Sequence, residues 1–169
     1  MNENSVKITF AGNPLTLLGT EIKVGDKAPD FVAVGAGLAP VKLSDFAGKA
    51  VVLAIYPSID TGVCAAQNRR FNAEANNMKD VVVLSISCDL PFAQSRFCAA
   101  EGLENIKTIS DHKDLDFGQK YGFWIKELRL LARGTVVIDK TGIVKYVEYV
   151  SEVTHEPNYE AALAAVKGL

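Results

Sequence analysis

The sequence has little cysteine, no excess of charge of one sign and no long apolar run. Its 169 residues contain three cysteines, which are too few for a disulfide scaffold and leave at least one thiol unpaired within the chain. No stretch reaches the roughly 18 apolar residues that a membrane-spanning helix needs. The start of the chain also lacks the positive and apolar segments of a secretory signal. We therefore expect a soluble protein of the cytoplasm.

Several kinds of binding site are also missing. Eighteen basic and twenty acidic residues give a formal net charge of -2, and neither sign is gathered into a block. Nucleic-acid and membrane partners are therefore not expected, because both are bound by concentrated basic surfaces. The chain has no Cys-x-x-Cys pair, which argues against a disulfide oxidoreductase. His112 and His155 show no metal-ligand spacing with the cysteines, so no zinc site is expected.

Two continuous apolar runs, at residues 50–56 and 81–87, are typical of strands that are covered on both faces. The segment between them, 64–78, has the composition of a helix. Together they predict a right-handed crossover that joins two parallel strands. Hydrophobic residues make up 49% of the chain, which is enough for a well-packed globular core.

The remaining patterns complete an α/β fold. We expect a thioredoxin-like sandwich with a mixed central sheet flanked by helices and with an N-terminal β-hairpin. No repeat and no linker-like change of composition occurs, so residues 1–169 are expected to form a single domain. The shorter elements predicted are a hairpin at 6–18, strands at 31–34 and 41–43, helices at 91–100 and 115–121, a hairpin at 135–147 and a helix at 158–166.

Cys64 stands where the first buried strand leads into a helix. Unpaired backbone N–H groups and the helix dipole at such a position stabilise a thiolate, which makes Cys64 a candidate nucleophile. For an arbitrary free cysteine, a buried structural role is the more common one. The neighbours favour chemistry, because Pro57 lacks an N–H and holds the bend, and Thr61 offers a hydroxyl three residues before the sulfur.

Pro57, Thr61 and Cys64 match the peroxiredoxin pattern of Pro, three residues, Thr, two residues, Cys. Residues 57–64 are typical of the thiol peroxidase subfamily, with Tyr56 where Phe is usual. Residues 89–98 resemble its resolving-cysteine segment, and residues 156–163 resemble its C-terminus. The sequence thus resembles the thiol peroxidases, which are atypical two-cysteine peroxiredoxins, over almost its whole length.

This resemblance implies a catalytic cycle. Cys64 attacks hydrogen peroxide or an organic hydroperoxide, and Cys98 then forms an intramolecular disulfide with it, which thioredoxin reduces. Arg133 matches the arginine that reaches the peroxidatic sulfur in that family. Arg129 is a rival, because residues 124–131 depart from the usual Gly-containing version. The resemblance also implies a homodimer, and the cycle needs no metal, haem or flavin.

The other cysteines raise two further expectations. A disulfide needs Cα atoms within about 7 Å, which cysteines on different helices rarely satisfy, so we expect local unwinding around Cys64 and Cys98 during turnover. Cys88 continues the alternation of aliphatic residues in its strand and is interpreted as a structural filler. A non-enzymatic redox sensor or chaperone that uses the same reactive thiol is the alternative function.

Overall fold

A computed structural model describes the whole chain, Met1–Leu169, as eleven strands and four α-helices. No helix combines the length and the apolar character needed to cross a membrane. The strands are β1 (Glu3–Phe10), β2 (Asn13–Leu18), β3 (Val32–Val34), β4 (Pro40–Lys42), β5 (Ala50–Ile55), β6 (Val81–Ser87), β7 (Lys107–Ser110), β8 (Trp124–Ile125), β9 (Leu130–Leu131), β10 (Gly134–Ile138) and β11 (Val144–Tyr149). The helices are α1 (Gly62–Ala75), α2 (Pro91–Glu101), α3 (Asp116–Tyr121) and α4 (Tyr159–Lys167).

The central sheet has seven strands in the order β11-β10-β5-β6-β7-β3-β4. Strands β5, β6 and β7 are parallel, and all the other pairings are antiparallel. Every residue of β5 is buried, as expected for an apolar strand in the middle of a covered sheet. Helix α1 joins β5 to the neighbouring parallel strand β6. The predicted crossover and the mixed sheet are therefore confirmed.

Side chains alternate across the central sheet and divide the core into two layers. Leu53 and Leu84 point into the larger layer, where α3 and the N-terminal hairpin also pack. Val52 and Val83 point the other way, into a smaller layer that α1, α2 and α4 cover, with Phe71 of α1 fully buried in it. Both faces of the sheet are thus covered, and the predicted sandwich is confirmed.

The N-terminal hairpin belongs to a second sheet. Strands β1 and β2 pair antiparallel, and the turn residues Ala11 and Gly12 adopt φ values of 49° and 80°. Strands β8 and β9 extend the hairpin to a four-stranded sheet. Ile8 and Leu17 reach the larger core layer, so the hairpin contributes to the core.

The backbone of β10 runs close to its neighbours at Gly134, directly after Arg133. A Cβ atom at Gly134 would lie 2.5 Å from Cε1 of Phe123 and would overlap the carbonyl oxygen of Glu148. Only glycine allows this close approach. The packing therefore fixes the path of the chain at the residue that precedes β10.

Asp111 is a buried residue whose carboxyl group accepts hydrogen bonds from backbone N–H groups in the first turn of α3. Its Oδ1 accepts a hydrogen bond from the Phe117 N–H at 2.9 Å, and its Oδ2 accepts one from the Gly118 N–H at 2.8 Å. Burial raises the pKa of Asp111 to about 7, and the nearby carboxylates Asp116 and Asp114 add to the rise while the two N–H donors oppose it. The folded protein therefore keeps this proton at pH values at which an unfolded chain has released it.

We expect this carboxyl to make the protein less stable as the pH rises from about 4 to about 7. In that window the folded state binds more protons than the unfolded state, so the free energy of unfolding falls by up to about 1.4 kcal/mol per pH unit. Asp111→Asn should remove this slope, as measured by urea unfolding at several pH values. Asp114→Asn, which changes an exposed carboxyl in the same loop, should retain most of it, because burial is the largest cause of the raised pKa. An equal slope in Asp111→Asn and the parent would contradict the assignment.

Candidate active site

Cys64 lies in the first turn of α1, which begins at Gly62 directly beyond the loop that follows β5. Thr61 caps the helix: its Oγ1 accepts a hydrogen bond from the Cys64 N–H at 3.4 Å and donates one to the carbonyl oxygen of Ser58 at 3.2 Å. Pro57 is buried at the start of this loop. The Cys64 side chain is fully buried and packs against Tyr56 and Ile59. The structure therefore brings Pro57, Thr61 and Cys64 together at one end of the sheet.

Arg133 brings a positive charge to the sulfur. Only 2% of this residue is exposed, and its Nη2 donates to Sγ of Cys64 at 3.2 Å. Its Nη1 donates to Oε1 of Gln67 at 2.7 Å, and its Nε donates to the carbonyl oxygen of Val153 at 2.8 Å. Three acceptors, two on α1 and one after β11, thus hold the guanidinium in one orientation.

Arg129, the rival candidate, lies elsewhere. It is exposed, and its guanidinium carbon lies 6.0 Å from the ring centroid of Trp124. It also adopts a positive φ of 54°, in a turn before β9. The structure therefore brings Arg133 to Cys64 and leaves Arg129 on the surface.

The charge of Arg133 has no acidic partner. None of the seven ion pairs in the structure includes this residue. A buried charge is costly unless it is paired or fully hydrogen-bonded. Two neutral oxygens satisfy part of the guanidinium, and the remaining contact is the Cys64 sulfur. The Cys64 sulfur is therefore the third acceptor that the guanidinium contacts.

Cys98 lies on α2, near the end of that helix, and is half-buried against the smaller core layer. Burial raises the pKa of its thiol, and a hydrogen bond with the Thr108 side chain opposes the rise. All three cysteines are free thiols. Phe97 packs against the smaller core layer and also against the cluster that contains Cys64. The two cysteines therefore occupy different helices and different clusters, with Phe97 in contact with both clusters.

Comparison with known proteins assigns the family. Residues 23–163 match the Redoxin family. A thiol peroxidase of Halalkalibacterium halodurans is 59% identical over 160 residues, which cover 95% of this chain and 96% of the relative. The thiol peroxidase of Bacillus subtilis is 54% identical over 163 residues, with 96% and 98% covered. The chain belongs to the thiol peroxidases of the Redoxin family. The resemblance seen in the sequence is thus confirmed.

Solved structures agree with this membership of the Redoxin family. A peroxiredoxin-like protein from Aquifex aeolicus superposes with a TM-score of 0.90 at 39% identity, with 96% of both chains covered. A thiol peroxidase from Chromobacterium violaceum superposes with a TM-score of 0.86 over 98% of this chain and 97% of that one, and at 19% identity it shows the fold alone. The predicted thioredoxin-like fold is confirmed.

Gln67 is a site residue of this thiol peroxidase that the sequence reasoning missed. Its side chain is fully buried, and its Nε2 donates to the carbonyl oxygen of Ile55 at 3.1 Å while its Oε1 accepts from Arg133. It therefore links the end of β5 to the guanidinium. The available signal was its spacing, since a residue three positions after Cys64 lies on the same face of α1.

A second polar network lies beneath α1. Asn68 donates from Nδ2 to the carbonyl oxygen of Cys64 at 2.9 Å and accepts a hydrogen bond from the Ser85 hydroxyl. Ser85 Oγ lies 3.0 Å from the hydroxyl of Tyr56. Tyr56, which stands where this subfamily usually has Phe, thus places its hydroxyl in a buried hydrogen-bonded chain that leads back to the first turn of α1.

Cys88 has the surroundings of a structural residue. It is half-buried and packs against the larger core layer, in agreement with its interpretation as a filler. Burial, with the negative charges of Asp111 and Asp89, raises the pKa of its thiol to about 12. Cys88 is therefore protonated at neutral pH and is a poor nucleophile.

No group of three or more His, Cys, Asp or Glu side chains is arranged to hold a metal ion.

Proposed function

We propose that this protein is a thiol-dependent peroxidase in which Cys64 reduces hydrogen peroxide and organic hydroperoxides and Cys98 resolves the product. The observation that carries the proposal is the 3.2 Å contact between the buried Arg133 guanidinium and Sγ of Cys64. A guanidinium without an acidic partner favours an ionised sulfur, and the thiolate is the form of cysteine that attacks peroxides. The named relatives, which are thiol peroxidases, support the same activity.

In the first step the Cys64 thiolate attacks the terminal peroxide oxygen. The S–O bond forms as the O–O bond breaks, and water or an alcohol leaves once it has taken up a proton. Negative charge grows on the leaving oxygen, so donors that are already oriented towards it lower the barrier. Arg133 meets this condition, because Gln67 and Val153 hold its guanidinium in place.

Thr61 is the second residue that we assign to the peroxide. In the present structure its Oγ1 accepts from the Cys64 N–H at 3.4 Å, which is a long hydrogen bond. A peroxide oxygen that binds beside the sulfur can take the place of Thr61 Oγ1 as the acceptor of the Cys64 N–H. The Thr61 hydroxyl is then free to hydrogen-bond to the peroxide. Pro57, which has no N–H, shapes the bend without adding a competing donor.

In the second step Cys98 condenses with the sulfenic acid. The Cys98 thiol provides the proton, the S–S bond forms, and the hydroxyl of the sulfenic acid leaves as water. Because Cys98 is half-buried on α2 and Cys64 is buried on α1, we propose that both helices unwind locally before the bond forms.

The same proposal includes a reductant, an oligomeric state and a location in the cell. We assign a thioredoxin-type dithiol as the reductant, a homodimer as the assembly and the cytoplasm as the location, where thiols stay reduced. We also propose that residues 1–169 act as one domain, because Ile8 and Leu17 of the hairpin share a core with Leu53. A redox sensor or chaperone is not favoured, since the named relatives are peroxidases.

Arg133→Ala should lower the rate of the first step by about 10²- to 10³-fold, because a preorganised donor to the transition state is lost. The measurement is the loss of hydrogen peroxide in a single turnover, together with a thermal unfolding curve. Arg129→Ala is the matched control and should react at the parent rate, since Arg129 is exposed and lies over the Trp124 ring. A parent-like rate in Arg133→Ala would remove this residue from the site.

One equivalent of hydrogen peroxide should produce a disulfide between Cys64 and Cys98, identified by mass spectrometry of the digested protein. Cys64→Ser should consume no peroxide, and Cys88→Ser should behave as the parent does because its thiol is protonated. With thioredoxin, thioredoxin reductase and NADPH, the parent should turn over many times. A reaction that stops after one equivalent would favour the sensor instead.

A further inference from the structure

Asp89 lies between β6 and α2, and its carboxylate holds the loop that leads to Cys64. Oδ1 accepts a hydrogen bond from the Ser58 hydroxyl at 2.8 Å, and Oδ2 accepts one from the Ile59 N–H at 2.7 Å. Both donors belong to the short connection between β5 and α1. This connection therefore depends on a side chain that follows it by about 30 residues.

Asp89 also contacts the ends of β6 and β7, and it is linked through Ser87 to the helix that carries Cys98. The Ser87 hydroxyl donates to Oδ2 of Asp89 at 2.6 Å, and the Ser110 hydroxyl donates to its backbone carbonyl at 2.5 Å. Gln94 of α2, which is buried, donates from Nε2 to Ser87 Oγ at 3.1 Å and to the carbonyl oxygen of Ile109 at 2.8 Å. Asp89 thus binds the Cys64 loop and the ends of β6 and β7 directly, and it reaches α2 only through the Ser87 hydroxyl.

The charge of Asp89 matters to these contacts. No ion pair in the structure includes this carboxylate, so neutral donors alone satisfy it. Hydrogen bonds to an ionised acceptor are about twice as strong as those between neutral groups. Replacement of the carboxylate by an amide therefore weakens several contacts at once, with little change in shape.

A second contact between the same two segments provides a comparison. Arg96 of α2 lies 4.0 Å from Asp60 of the Cys64 loop, and both side chains are largely exposed. Exposed ion pairs of this length contribute little to stability. The Asp89 contacts are shorter and are partly buried. They are therefore the stronger of the two polar contacts at the Cys64 loop. A separate, partly exposed ion pair, Arg69 with Glu101 at 2.8 Å, joins α1 to α2 directly.

We propose that Asp89 is a positioning residue that holds the Cys64 loop in its reduced position at the ends of β6 and β7 and so limits the rate of disulfide formation. This inference rests on the proposed function. While the segments stay closed, the Cys64 sulfenic acid remains at the site, where a second peroxide oxidises it to the sulfinic acid and is itself reduced to water or an alcohol. When they open, Cys98 condenses with the sulfenic acid and water leaves. The strength of the Asp89 contacts decides between these two outcomes.

The test is Asp89→Asn, treated with increasing hydrogen peroxide in the absence of a reductant. Mass spectrometry then measures the fractions of Cys64 that are in the disulfide and in the sulfinic acid. The peroxide concentration that converts half of Cys64 to the sulfinic acid should rise at least about tenfold over the parent, which corresponds to the loss of one hydrogen bond to a charged group. The disulfide should also form faster after one equivalent of peroxide.

Ser58→Ala removes one donor to Asp89 and should shift the same concentration in the same direction by a smaller factor. This variant also carries the test if Asp89→Asn does not fold. Asp60→Asn breaks the exposed contact with Arg96 and should stay within about twofold of the parent, as expected for a weak surface pair. A purely structural role for Asp89 would lower the unfolding temperature without moving the ratio of disulfide to sulfinic acid.

The outcomes separate the two proposals. If the parent forms no disulfide between Cys64 and Cys98, the resolving step of the proposed function is wrong. If the parent forms that disulfide and both Asp89→Asn and Ser58→Ala show the parent's ratio, the positioning role of Asp89 is wrong. An equal shift in Asp60→Asn would also overturn it, because the effect would then not be specific to Asp89.

Discussion

The contact between Arg133 and the sulfur of Cys64 is the interaction on which the rest of the site depends. Burying a guanidinium almost completely, with no carboxylate beside it, costs free energy because the charge loses its water. The fold offsets that cost with two oxygen acceptors and a sulfur that is stabilised when ionised. In the proposed mechanism, the same arrangement that satisfies the arginine prepares Cys64 as the nucleophile. Stability and reactivity are linked through a single charge.

The sheet explains why these groups meet. The chain leaves the carboxyl end of β5, which is parallel to β6, and enters α1. The first turn of α1 therefore faces the end of the sheet where α/β folds place their ligands. Strand β10 pairs antiparallel with β5, and its first residue, Gly134, is paired with Ile55, the last residue of β5. Arg133 therefore reaches the same end of the sheet. The close packing at Gly134 keeps it there.

The disulfide that we propose between Cys64 and Cys98 requires this ordered arrangement to open. Cys64 and Cys98 are buried or half-buried on separate helices, and the side chain of Phe97 packs against the clusters of both. In the proposed cycle, a site rigid enough to orient Arg133 keeps Cys98 away from Cys64, whereas a site open enough for the disulfide loses the orientation of its donors. The polar contacts around Asp89 lie between the two segments that must move. In our proposal these few hydrogen bonds at the end of the sheet set the balance between order and opening.

The sequence by itself determined the buried strands β5 and β6, the crossover through α1, both hairpins and the positions of Pro57, Thr61 and Cys64. Apolar runs, turn residues and short motifs are local, so they can be read without the fold. It did not reveal β7, β8 or β9, because two to four residues carry too little pattern and form strands only where a neighbour supplies the hydrogen bonds. The resemblance selected Arg133 and left Arg129 as a rival, whereas the contacts of Arg133 with Cys64 and Gln67, the hydrogen bonds of Asp89 and the burial of Asp111 came only from the tertiary structure. Each depends on burial and on contacts between residues far apart in the chain, which spacing along the sequence does not encode.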